Sequence, residues 1–168
     1  MTVLTRPKVL DEIKKGNIKI SPFKPSNLGP ASYDLALGNE FRVYEKGERN
    51  IVNIEDDYRK HMKKVKANAL LLPPYGFAVG ITKEKITLPE NISAWLGGRS
   101  RFARLGIQIH MTAAFIQPGI SNRQALEIFN NSPNTIRIPS GTKICQIVFE
   151  RTEGKAKYSG KFKRQSAL

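Results

Sequence analysis

The chain has 168 residues, an apolar fraction of 40% and a single cysteine. That is enough for one domain with a substantial core, it leaves no run near the ~20 apolar residues of a membrane span, and it provides no thiol pair for an intrachain disulfide or a Cys-based zinc site. A formal charge of +14 asks for phosphate-bearing partners, nucleotides or nucleic acid, although a solvated basic surface accounts for much of it.

The N-terminus has no apolar leader before a small-residue cleavage site, so the protein is read as cytoplasmic, with no membrane partner. Residues 5–16, TRPKVLDEIKKG, carry the one clear helix signal. Thr5 is the N-cap, Pro7 sits in the first turn, Val9, Leu10 and Ile13 share a face, and Gly16 is the stop. A short strand at IKISPF and a loop punctuated by Pro22, Pro25 and Pro30 follow. Tyr33–Leu37, a Gly38-Asn39 turn and Glu40–Tyr44 read as a β-hairpin.

From Glu45 to Asn68 the sequence is polar and lysine-rich, an excursion with a short strand at NIVNI and a helical turn. His61 lies there without a second His or Cys and reads as a surface residue. Strands resume from Ala69 to Gly98, broken at Pro73-Pro74, Gly80 and Pro89. The stretch Gly97–Asn131 concentrates the chemistry. Arg99, Ser100, Arg101 and Arg104 follow a glycine pair, where bare backbone can approach an anion closely. In the strand QALEIFN, Glu127 shares a face with Ala125 and Phe129. Apolar neighbours would raise its pKa and a nearby arginine would lower it, the opposition that tunes a general acid/base. A carboxylate on a solvated edge strand is the plain alternative, as a core or interface histidine is for His110, and Arg123 is either a surface charge or a contact between subunits.

NNSPNT is then a turn, TIRI a strand, PSGT a turn and KICQIVF the last long strand, with Cys145 a small core residue. Short strands at regular spacing with Gly/Pro turns predict an all-β sandwich or barrel in a single domain, 1–168. Strand–helix alternation, GxGxxG and a Walker loop are missing. The end of the chain, about 152–168, is too basic and too poor in apolar residues for core. It is expected to be a flexible arm that orders on a ligand or a neighbouring subunit.

GRSRFARLG, followed by HMTAAFIQPG and ALEIFN, resembles the dCTP deaminase family of the dUTPase-like superfamily. The similarity continues through ASYDLALGNEFRVY and LLPPYGFAVG upstream and through PSGTKICQIVF to YSGKFKRQ downstream. It implies a distorted β-barrel or jelly roll, a homotrimer with active sites between subunits, and dCTP or dUTP bound with Mg²⁺ on the triphosphate. Residue by residue it implies Glu127 as general acid/base, Ser100 as the hydroxyl holding the nucleophilic water, and Arg104 as the cation tuning the glutamate. Ala113 would place water and amine through its carbonyl, Arg99 falls in the phosphate-binding turn, and Tyr158, Lys161 and Gln165 close on the phosphates. Three positions depart from the family pattern. Arg101 replaces a phosphate-facing serine, Gln117 replaces the aspartate of IDPG, and Phe162 stands where a tyrosine is often found. Gln117 can hydrogen-bond a sugar but cannot act as a base.

The implied reaction is hydrolytic deamination of dCTP to dUTP and ammonia, supplying dUTP for dUMP and dTTP synthesis. The HxE and PCxxC signature of zinc deaminases is missing, so zinc is not expected. A dUTP pyrophosphatase, or a bifunctional deaminase and pyrophosphatase, is the enzymatic alternative, and Gln117 weighs against it. A non-catalytic nucleotide- or nucleic-acid-binding barrel is the alternative of another class. Ser100, Arg104 and Glu127 kept together weigh against that, as do aromatics at only 8%, too few for base-stacking platforms. Nucleic acid is therefore not expected as a partner.

Overall fold

The computed structural model describes residues 2–45 and 51–168, and strands dominate it wherever apolar side chains alternate. In chain order these are β1 (Thr2–Val3), α1 (Arg6–Lys14), β2 (Lys19–Ser21), β3 (Tyr33–Val43), β4 (Lys63–Lys66), β5 (Ala69–Leu72), β6 (Phe77–Thr87) and β7 (Ile92–Gly98). The short helix α2 (Ser100–Ala103) leads to β8 (Ile107–Ile109), β9 (Phe115–Ile116), β10 (Ser121–Asn130), β11 (Ile136–Pro139) and β12 (Lys143–Arg151). One antiparallel sheet runs β8-β10-β6-β3-β12-β7-β9, with β1, β2 and β4 on its flanks, and β5 pairs β11 separately. The architecture is all-β as expected, with the sheet curled into a half-barrel. Tyr33, Leu35, Leu37, Phe41, Leu126, Ile128, Ile147 and Phe149 are buried at its centre, each such side chain contributing about 1.5–3 kcal/mol by leaving water.

Helix α1 starts after Thr5, has proline in its first turn and is followed by Gly16 at φ 74. It is fastened from the inside. Val9 is fully buried, and the carboxylate of Glu12 accepts hydrogen bonds from Arg151 (2.6 Å) and Asn17 (2.7 Å). A buried carboxylate is tolerated only when its charge is met in this way, so the helix braces β12.

Four local expectations are corrected. Gly38-Asn39 is not a hairpin turn, because β3 runs straight through it. A Cβ on Gly38 would fall 2.7 Å from the carbonyl oxygen of Ile81, so the glycine permits close approach of β6, and the β3–β6 register shifts between Leu37 and Phe41 to absorb it. Gly80 does not break β6 either. A side chain there would meet Leu37 Cδ1 at 2.9 Å and Ile128 Cδ1 at 3.1 Å, which makes it a packing glycine. Of the strand expected at NIVNI, Asn50 lies outside the described residues and 51–54 form no strand, while the helical turn exists at Tyr58–Lys60. His61 is half-buried, with Nε2 3.1 Å from Asp56 Oδ2.

Candidate active site

Strand β10 presents Leu126 and Ile128 to the core and Arg123, Ala125, Glu127 and Phe129 to the other face. Its end is held by Asn130, whose amide donates to the carbonyls of Pro73 (2.9 Å) and Asn134 (2.7 Å). Strand β8 pairs with this end, Ile109 opposite Ile128. The chain then turns at His110, which adopts φ 53, an uncommon conformation for a residue with a Cβ, though one histidine enters more readily than most. The His110 N–H donates to the Glu127 carbonyl at 2.8 Å.

Below this turn lies a cavity of about 610 Å³ whose wall includes His110, Ala113, Gln117, Glu127, Tyr158 and Gln165, of a size suited to a small ligand. Tyr44, Tyr58, Phe77, Phe115 and Phe162 line much of the rest, together with aliphatic side chains and the polar Asn122, Arg123 and Gln124. His110 Nδ1 and Glu127 Oε2 lie 3.0 Å apart. Their approach is too oblique for a regular hydrogen bond, and both atoms are buried without another partner. Burial pushes the Glu127 carboxyl up. His110 beside it, by contact and by charge, and Glu127's own backbone N–H outweigh that and hold it below the ordinary carboxylate value.

The residues expected to form one site divide into two groups. Glu127, Ala113, Gln117, Tyr158 and Gln165 share the cavity. Ser100, Arg101 and Arg104 are exposed on and just after α2 and do not line it. Arg99 is turned to Asp34 (3.2 Å) and donates to the Lys143 carbonyl (2.9 Å), and Lys161 lies over the Phe162 ring at 5.8 Å. Within the chain, then, the group that lowers the pKa of Glu127 is His110, in place of the expected Arg104.

The arm is also corrected, since it packs on its own chain. Among the described residues, the first half of β10 has β6 on one side and no strand on the other, because β8 reaches only Ile128–Asn130. The arm takes that vacant edge. Ser121 N donates to Lys163 O (2.9 Å), Arg123 N to Gln165 O (2.8 Å) and Tyr158 N to Pro118 O (3.0 Å), which satisfies backbone groups that would otherwise lack partners. Arg123 contributes further by donating through Nε to Thr82 O at 2.6 Å. Leu168 is 7% exposed and packs with Met62, Val79 and Ile81.

A family model described as dCTP deaminase-like matches residues 3–152. The chain belongs to the dCTP deaminase-like family. It is 35% identical over 156 residues to the "dCTP deaminase, dUMP-forming" of Methanosphaerula palustris, covering 90% of this chain and 82% of that one. It is 31% identical over 163 residues to the "dCTP deaminase" of Pyrobaculum aerophilum, covering 94% and 92%. The crystal structure of 2′-deoxycytidine 5′-triphosphate deaminase from Agrobacterium tumefaciens has the same fold at 23% identity and a TM-score of 0.68. The match covers 90% of this chain and 48% of that one, so the chain spans about half of that solved structure.

The contact between His110 and Glu127 was not foreseen from the sequence. The only local signal of His110 was its place one residue after a β-strand, and what brings it to Glu127 is the β8–β10 register. Tyr44, just before the polar excursion, and Tyr58, within it, were also missed, yet both line the cavity.

Proposed function

We propose that this protein hydrolyses the exocyclic amine of dCTP, taken as its magnesium complex, to give dUTP and ammonia. The observation that carries the reading is a half-buried carboxylate, Glu127, held ionised beside His110 in a cavity that also presents Ala113 and Gln117. The names of the relatives support the same substrate. Glu127 takes a proton from water as the oxygen adds to carbon 4 of cytosine. It delivers that proton to ring nitrogen 3, and a second transfer to the amine lets ammonia leave as the carbonyl forms. The Ala113 carbonyl would hold the water and the amine in line.

Ser100, Arg101 and Arg104 are exposed and stand off this cavity. We place them in the site of a neighbouring copy, in a homotrimer with active sites between subunits, where Ser100 holds the water and Arg104 offsets developing charge. Arg99, Arg101, Tyr158, Lys161 and Gln165 would meet the phosphates. Among the described residues no three His, Cys, Asp or Glu side chains converge on one point. Magnesium would therefore ride on phosphate oxygens and water, its usual coordination in nucleotide sites. A second reading, in which dUTP is hydrolysed further to dUMP and diphosphate, is favoured by the name of the Methanosphaerula relative.

The test is incubation of the purified protein with dCTP and Mg²⁺, with ammonia assayed and the nucleotides separated. Ammonia appearing in step with a uracil nucleotide is expected, and tight nucleotide binding without ammonia would make the protein a binding module. Removal of residues Tyr158–Leu168 should raise KM for dCTP, because Tyr158, Phe162 and Gln165 line the cavity, and should leave a folded but less stable oligomer, because Tyr158 and Leu168 leave the core and the first half of β10 loses the arm's backbone hydrogen bonds. Unchanged kinetics in the truncated protein would assign the arm to another role.

A further inference from the structure

We infer that His110 is a positioning residue for Glu127, holding one carboxylate oxygen against the cavity wall so that the other faces the attacking water. The inference rests on the deaminase reading for its consequence but not for its geometry. His110 Nδ1 stands 3.0 Å from Glu127 Oε2, with side-chain exposures of 9% and 34%. Neither atom has a hydrogen-bond partner although both are buried, and buried polar atoms left this way in a native fold call for an explanation. The main chain is committed to the same contact. The His110 N–H donates to the Glu127 carbonyl at 2.8 Å, and the residue holds φ 53 while doing so.

A backbone clamp, a left-handed turn and a side-chain contact thus converge on one pair. The turn has a second effect. It carries the chain off the β8 line so that Ala113 also reaches the cavity, and one residue thereby sets both the carboxylate and the carbonyl proposed to hold water. The other titratable side chains around the cavity are Tyr44, Tyr58, Arg123 and Tyr158, and none of them contributes to the lowering at Glu127, which comes from His110 and the backbone against burial.

Two variants separate the side chain from the turn. His110→Asn accepts the left-handed conformation and keeps a hydrogen-bond donor in place of the imidazole, and His110→Gly keeps only the turn. Without the imidazole, burial acts on Glu127 with less opposition, so its pKa rises and a smaller fraction is ionised at a given pH. The acid limb of kcat/KM should therefore move to higher pH in both variants, with kcat lower by roughly tenfold or more and KM little changed. Carboxyl NMR of the substrate-free protein should show Glu127 titrating at higher pH in the variants than in the wild type. An unmoved acid limb together with an unmoved Glu127 titration would overturn the inference, as would wild-type kcat in both variants. Should the Asn variant fail to fold, the Gly variant carries the test. A wild-type protein that releases no ammonia would refute the deaminase reading instead, and the NMR titration would still decide whether His110 controls Glu127.

Discussion

Replacement of Glu127 by glutamine is expected to lower ammonia release from dCTP by about 10²–10⁴-fold, the contribution of a positioned general acid/base, while dCTP binding persists. The amide keeps the shape and hydrogen-bonding reach of the carboxylate but cannot carry a proton from water to nitrogen. Glu127 is suited to that transfer because opposing influences act on it. In the free protein His110 and the backbone outweigh burial, so at neutral pH the group is an ionised base ready to receive the first proton. A pyrimidine seated in the cavity removes further water and moves the carboxyl up, toward the value at which it gives the proton back easily. The acid limb of kcat/KM in the wild type should accordingly lie below the ordinary carboxylate range, since activity is lost only as pH falls through the lowered pKa of the free enzyme. Isothermal titration with dCTP and an ammonia assay on the same preparation check both halves. Turnover by the glutamine variant within a few-fold of wild type, or loss of binding equal to the loss of rate, would remove Glu127 from proton transfer.

The outward placement of Glu127 was legible in the sequence because its signal is local. A carboxylate in the alternating run QALEIFN must face either water or a site, and β10 carries it on the face away from Leu126 and Ile128. The all-β architecture was legible for the same reason, strand period and Gly/Pro punctuation being short-range properties. Gly38 and Gly80 were misread because glycine serves a turn and a close strand approach equally well, and only the position of Ile81, Leu37 and Ile128 decides between them. The docking of the arm was hidden because its partner is the vacant half of the β10 edge, and a vacancy appears only when the whole sheet has been ordered. His110 was hidden in the same way. Seventeen positions before Glu127 by numbering, it is brought beside it by the β8–β10 pairing and by its own turn.

With wild-type protein, dCTP should be converted to dUTP with ammonia released and dUMP formed at least about 10²-fold more slowly, the factor expected when an anhydride-splitting water lacks its base. Gln117 decides this. It follows β9 directly and lines the same cavity as Glu127. Glu127 is the only carboxylate among the residues described around that cavity, and in the proposed mechanism it serves the cytosine. Cleaving the triphosphate needs a water oriented and deprotonated at the phosphate end. A neutral amide can orient such a water but cannot take its proton, whereas deamination loses at most a contact to the sugar. The dUMP-forming name of the Methanosphaerula relative sets the opposite expectation, so the ratio of diphosphate to ammonia is the informative measurement. A ratio near zero supports product release at dUTP, and a ratio near one shows that another group activates the second water. Gln117→Asp should raise the ratio and leave ammonia release nearly unchanged, since it restores a carboxylate at the wall without touching Glu127. If the ratio stays at zero in that variant although dUTP still binds, the missing base is not what halts the reaction, and the orientation of the triphosphate by Arg99, Arg101 and the arm becomes the controlling feature.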